Sequence, residues 1–140
     1  MSWTDFDQAV EFTLRWEGGY ENDPDDPGGE TNWGISKRAY PNLDIKNLTK
    51  EQAIVIYESD YWIPSGCSLW EWPLNLIVFD TAVNCGVHRA SLWMTFSEDW
   101  KDLLLKRIKH YTQLNNKKYL QGWLNRTMAL WDYATQERVM

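Results

Sequence analysis

The sequence predicts a mainly α-helical single domain built around one long irregular loop, with little strand structure. Three observations carry this. Apolar residues recur at helical spacing in segments along most of the chain. The stretch Trp16–Ile35 holds five glycines, two prolines and six carboxylates, too many entropy-costly and donor-free residues for a regular element. Strand signal is weak elsewhere. A chain of 140 residues suits one domain with one core, so the expected organisation is a single unit over 1–140. Its N-terminal part runs to about 62, its C-terminal helical part covers about 73–140, and no separate domain beside these is expected.

The elements follow in order. Thr4 caps a first helix, with Asp5 and Asp7 in its first turn and Phe6, Ala9, Val10, Thr13 and Leu14 at helical spacing. Gly18-Gly19 stops it. Ile35 to Tyr40, between Gly34 and Pro41, reads as a short helical or extended piece. Thr49 and Gln52 form a capping box for a second helix that ends near Tyr61-Trp62. Pro73 opens the most apolar segment, Leu74 to Gly86, which is expected to be the central buried helix. Asp80 and Asn84 interrupt it at i, i+4. They need partners, and loop backbone beneath the site is the partner expected. Ser97 is read as the cap of a further helix, with Glu98 and Asp99 in its first turn and Leu103, Leu104, Ile108 and Tyr111 as its buried face. Asn115-Asn116 breaks the chain, and a last helix begins near Lys117. Arg107 and Arg126 read as structural ion-pair partners.

The chemistry points at Glu17. Breaking a glycosidic bond takes a carboxylic acid to protonate the leaving oxygen, and a second carboxylate or a placed water at the sugar carbon. Glu17 follows Trp16 at the end of a helix, where partial negative charge from the carbonyls and an apolar neighbour disfavour ionisation. The expectation is a raised pKa. Asp26 lies in the loop, where it could fold back across a cleft, and Thr31 could hold a water. A calcium loop is the competing reading, because Asp23 and Asp25 have alternate spacing. However, Pro27 replaces its third ligand and Gly34 stands where the bidentate glutamate belongs. No metal and no cofactor are expected.

Bulk properties exclude other classes. A formal net charge of −6 argues against nucleic acid, which demands a basic face. No apolar stretch approaches the length needed to cross a bilayer. The first residues carry no basic segment followed by an apolar run, so the expectation is a protein kept in the cytoplasm until something else releases it. Ten tryptophans are many for this length, and several are expected to line a sugar-binding cleft or to cement a small core, the commoner use of any single one. Cys67 and Cys85 have no metal-binding spacing and read as two buried free thiols. Two histidines cannot support a histidine-based metal site.

The run Glu17-Gly18-Gly19-Tyr20, then Asn22-Asp23-Pro24, Asp26-Pro27-Gly28-Gly29, Thr31-Asn32 and Gly34-Ile35, resembles the signature of the family-108 glycoside hydrolases, phage and bacterial N-acetylmuramidases of the lysozyme superfamily. Phe79-Asp80, Ala82-Val83-Asn84, Gly86 and Gly122-Trp123-Leu124-Asn125-Arg126 resemble later parts of the same family. Between Ala90 and Phe96 the match thins. The resemblance implies a lysozyme-like fold, which often carries a small β-hairpin after the loop, and cleavage of the β-1,4 bond between N-acetylmuramic acid and N-acetylglucosamine in bacterial peptidoglycan, in the setting of a phage endolysin held in the host cytoplasm until a holin lets it reach the cell wall. It implies catalysis by Glu17 as general acid, with Asp26 and Thr31 around the attacking water, although the Asp26-to-Thr31 spacing is one residue shorter than in other phage lysozymes. Tyr20, Tyr57, Trp62 and Asn84 are the expected substrate contacts, and a monomer is expected. The rivals are a lytic transglycosylase, which can work with one Glu, and a catalytically silent peptidoglycan-binding module, which would have no need of the acid.

Overall fold

The computed structural model describes residues 3–138. It is mainly helical, with six α-helices and one small three-stranded sheet, the lysozyme-like arrangement expected.

Helix α1 (Asp5–Glu17) starts at a complete capping box, with Thr4 and Asp7 each accepting the other's backbone N–H. It buries Phe6, Ala9, Val10, Phe12, Thr13 and Leu14 and ends where Gly18 takes a positive φ of 68°. The loop that follows is not wholly irregular. Strands β1 (Glu21–Asn22), β2 (Glu30–Asn32) and β3 (Ile35–Ser36) pair antiparallel in that order. The small sheet thus forms inside the Gly/Pro/Asp stretch rather than after it. Its tight turn is Trp33-Gly34, both residues at positive φ (55° and 77°), between the paired Asn32 and Ile35. A tryptophan is an unusual occupant of that conformation. Tertiary bonds hold it there: the Tyr57 hydroxyl donates to the Trp33 carbonyl at 2.7 Å and the Trp33 indole donates to the Leu48 carbonyl at 3.1 Å.

Helix α2 (Lys50–Tyr57) starts at the Thr49–Gln52 capping box and continues as one turn of π-helix to Trp62. Helix α3 (Leu74–Cys85) is the central element. Leu76, Ile77, Val78, Phe79 and Ala82 are fully buried, and Phe79 packs edge-on against Phe6 and Trp62. Helix α4 (Val87–Thr95) has no expected counterpart. Gly86 ends α3 and begins α4 at once, with no capping side chain to announce the second helix. Helix α5 (Trp100–Gln113) is capped by Asp99, which accepts from the Asp102 N–H at 2.8 Å, and not by Ser97. Its buried face is Leu103, Leu104, Arg107 and Tyr111, with the charged Arg107 in place of Ile108. Helix α6 (Lys117–Thr135) begins after the break at Asn115, which has a φ of 52°. It turns Arg126, Thr127, Leu130 and Ala134 inward and leaves Tyr119, Met128 and Trp131 exposed.

One apolar cluster runs from Phe6 to Ala134, so α1, α3, α5 and α6 share a single core. Both cysteines are free; Cys67 is buried and Cys85 half-buried. Burial pushes the Cys67 thiol up to about 12.

Candidate active site

The C-terminal residue of α1 sets the position of the site. Glu17 reaches a groove of about 650 Å³ whose walls also include Trp16, Asp26, Asn84, Tyr119, Trp123 and Arg126. Three elements supply the walls. α1 brings Trp16 and Glu17, the end of α3 brings Asn84, and α6 brings Tyr119, Gly122, Trp123 and Arg126. The last four are spaced i, i+3, i+4, i+7 and so share one helix face. The loop closes the groove with Asp26 and Pro27.

Glu17 is not alone with apolar neighbours. Its Oε1 accepts from Arg126 Nη1 at 2.8 Å, and its side chain is 21% exposed. The expected surroundings, in which every feature disfavours charge, are corrected by this guanidinium. Oε2 takes no hydrogen bond from the described residues.

Arg126 is in turn anchored from below. Its Nη2 meets Asp80 Oδ1 at 2.8 Å and its Nε reaches Oδ2 at 3.2 Å. Asp80 is fully buried, accepts from the Thr13 hydroxyl at 2.7 Å and pairs with Arg107 Nη1 at 2.9 Å. Its expected loop-backbone partners are therefore replaced by two arginines. Burial alone would raise the Asp80 pKa, but the Arg126 and Arg107 guanidiniums overcome it and hold the carboxyl well below its ordinary range. Burial likewise works against charge on Arg126, and Asp80 and Glu17 reverse it, so its pKa rises. Arg107 Nε donates to the Tyr111 hydroxyl at 2.7 Å, and Tyr111 donates to Asn84 Oδ1 in a short hydrogen bond. The polar chain thus leaves the groove at Glu17 and returns to it at Asn84. Tyr111 also stacks on Trp123 at 5.1 Å, backing one groove wall. Two carboxyl groups face two guanidiniums in this chain, so each buried guanidinium meets a carboxyl partner.

The loop side is held differently. Asp26 is exposed, and its Oδ1 accepts the Gly28 N–H at 2.8 Å. Asp23 does the same for the Asp25 N–H at 2.9 Å. These are local side-chain turns of the kind Asp favours. One backbone contact ties loop to helix. Gly34 lies against Glu17, and a Cβ there would stand 2.8 Å from Glu17 Cβ and 2.9 Å from its Cγ, and would clash with the Tyr57 hydroxyl.

Of the expected catalytic residues, Glu17 and Asp26 come together in the groove. Thr31 does not line it; it is half-buried in β2, opposite Glu21 and Ser36. Of the expected glycan contacts, only Asn84 lines the groove. Tyr57 is 1% exposed and Trp62 6%. Both are core residues, a correction that follows from the neighbours Phe6 and Phe79 and from the Tyr57 bond to Trp33. The Tyr57 pKa is raised by burial and then by the nearby Glu17 charge, so the phenol keeps its proton and donates. Tyr20 is exposed but binds Glu30 at 2.6 Å outside the groove. The residues missed are Tyr119 and Trp123 as walls and Arg126 as the partner of Glu17. Their shared helix face was the signal that could have found them. Among the described residues, no three His, Cys, Asp or Glu side chains converge as metal ligands would.

Two carboxylates, Glu17 and Asp26, line one groove beside two tryptophans, and the chain falls in the class of glycoside hydrolases. Within that class it belongs to the family described as Glycosyl hydrolase 108, whose model matches residues 10–86. That span runs from the middle of α1 through the loop to the end of α3, and it contains Glu17, Asp26 and Asn84. No curated protein matches the sequence. Among solved structures, the structure of Brucella abortus SagA is similar at a TM-score of 0.80 and 24% identity, covering 92% of each chain, and it shows a shared fold.

Proposed function

We propose that this protein is a peptidoglycan hydrolase, an N-acetylmuramidase that cuts the β-1,4 bond between N-acetylmuramic acid and N-acetylglucosamine. The observation that carries the reading is the groove shared by Glu17 and Asp26. Glu17 is the general acid. Its Oε1 is held by Arg126, so Oε2 is the oxygen that carries the proton to the leaving glycosidic oxygen. Asp26 stands on the loop side as the carboxylate that activates water or steadies positive charge on the sugar. Trp16 and Trp123 offer faces on which pyranose rings stack. The lysis setting, an endolysin that reaches the wall from the host cytoplasm through a holin, is supported by the family resemblance alone. A turbidity assay on outer-membrane-stripped cells tests the enzyme. Lysis is expected, and a folded protein that binds such cells without lysing them would make the chain a binding module.

One observation favours a second reading. Thr31 does not line the groove, so the loop presents a single carboxylate and no hydroxyl beside it. A lytic transglycosylase needs only the acid. Mass spectrometry of the released fragments separates the two: reducing muramic ends are expected of a hydrolase, and anhydro ends alone would transfer the chain to the transglycosylases.

A further inference from the structure

A second groove, of about 450 Å³, lies between α1 and α6 on the other side of Trp16, which lines both. Phe12 and Tyr133 stack at 5.4 Å to form part of its wall. Arg15 and Asp132 also line it. Both are exposed, and neither makes an ion pair with the other or with any other described residue. The Arg15 guanidinium instead sits 6.0 Å from the centre of the Tyr133 ring, which steadies its planar fork without consuming its hydrogen-bond donors.

We propose that this groove is a subsite for the peptide stem of the substrate, in which Arg15 takes a carboxylate and Asp132 an ammonium of one zwitterionic stem end. The inference rests on the peptidoglycan reading given above. A peptidoglycan strand is branched: the stem leaves the muramic sugar sideways, so a strand lying in the Glu17 groove delivers its stem to a neighbouring surface. Trp16 is the shared wall between that groove and this one. Charge complementarity selects the ligand. A simple anion in the groove would meet Asp132, and a simple cation would meet Arg15. A stem ending in a diamino acid with a free amine beside its carboxylate satisfies both. A charged fork on a carboxylate is worth more than a neutral hydrogen bond, and in a protein of net charge −6 an unpaired cation beside the cleft is a specific attraction for such a group.

The test compares two substrates: glycan strands with intact stems ending in a free diamino acid, and the same strands stripped of stems by an amidase. Arg15→Gln and Asp132→Asn should each raise KM on stem-bearing strands about fivefold, the effect of one charge-assisted contact at an exposed site. The kcat on those strands, both constants on stripped strands, and the melting temperature should not change. Equal losses on both substrates would mean that a sugar occupies the groove, and no loss on either would mean that nothing does; both overturn the proposal. Retention of full-length Glu17→Gln protein on the two kinds of strand, with and without Arg15→Gln, reads the same contact without catalysis. Wild-type protein that cleaves neither substrate would defeat the muramidase reading, whereas stem-selective retention lost with Arg15→Gln would still report the groove.

Discussion

The two sides of the groove are built on opposite principles. On the helical side, Glu17 ends a chain of charges and hydrogen bonds that runs through Arg126, Asp80, Arg107 and Tyr111 to Asn84, most of it buried. Each of the four inner members is held by two others of the chain, and the side chains come from four different helices. On the loop side, Asp26 is exposed and held by one backbone N–H two residues away. In the proposed mechanism the acid, which must donate along a defined direction, sits on the rigid side. The carboxylate that would adjust as the sugar carbon changes charge sits on the exposed side. The contrast predicts which substitutions change rate alone, which change stability alone, and which change both.

The largest effect should come from the catalytic end of the rigid side. Glu17→Gln keeps an oxygen for Arg126 and removes the acid, so the lysis rate should fall about a hundred- to ten-thousand-fold with a melting temperature near that of wild type. A folded variant that retains a tenth or more of the rate would remove Glu17 from the mechanism.

Next comes the buried end. Asp80→Asn leaves two guanidiniums facing a neutral amide in a site that is 0% exposed, and breaking a buried pair in this way costs about 3–5 kcal/mol of stability. The pH dependence has a definite sign. The Asp80 pKa is depressed in the folded state, so its contribution is fully present above the unfolded value of about 3.9 and is lost as pH falls from there toward the depressed folded value. Urea unfolding across pH should therefore show a wide gap between wild type and Asp80→Asn at neutral pH that narrows in the acid range. A gap that stays constant down to the acid limit would show that Asp80 acts by shape and not by charge.

This division also explains what could be read from the sequence. The capping boxes at Thr4 and Thr49, the apolar run of α3 and the break at Asn115 are local patterns, and each produced its element. Glu17 was legible because it ends a helix at a Gly-Gly break. What was hidden depends on contacts far apart in sequence. The Glu17–Arg126 bond joins residues separated by most of the chain. Tyr57 and Trp62 carry the same aromatic chemistry whether they face a sugar or Phe79, and only tertiary packing decides between them. The turn at Trp33-Gly34 carries no Asn-Gly signal, because bonds from Tyr57 and to Leu48 impose the left-handed conformation from outside.

The joint between the two sides gives a third, smaller effect that mixes both readouts. Gly34 has a φ of 77°, and an added Cβ would stand 2.8 Å from Glu17 Cβ. Gly34→Ala should cost about 1–3 kcal/mol through strain and overpacking and should also lower kcat, because Glu17 is displaced along with the Tyr57 hydroxyl as the clash is relieved. Thermal melting and initial rates on the same preparation check it. A stability loss with an untouched rate would mean that the loop moves and Glu17 does not.

The smallest effect, and the one that isolates the exposed side, is at Asp26. An asparagine carbonyl can still accept the Gly28 N–H that Asp26 Oδ1 accepts at 2.8 Å, so Asp26→Asn keeps the turn and removes only the charge. The melting temperature should stay within about a degree of wild type, since exposed substitutions that preserve a turn stay within about 0.5 kcal/mol. The rate should fall about tenfold, roughly 1.4 kcal/mol of transition-state stabilisation. Asp25→Asn is the control. Asp25 enters the turn only through its backbone N–H, which donates to Asp23, and it does not line the groove, so neither rate nor stability should change. Asp26→Ala completes the set by removing charge and turn together: it should lose at least as much rate as Asp26→Asn and also some stability. If Asp26→Asn is as active as wild type while Asp26→Ala is slow, the loop carboxylate serves only the turn. The reaction then runs on Glu17 alone, as a lytic transglycosylase would run it. If Asp26→Asn is slow and as stable as wild type, charge on the exposed side is part of the chemistry, and the hydrolytic reading gains its second carboxylate.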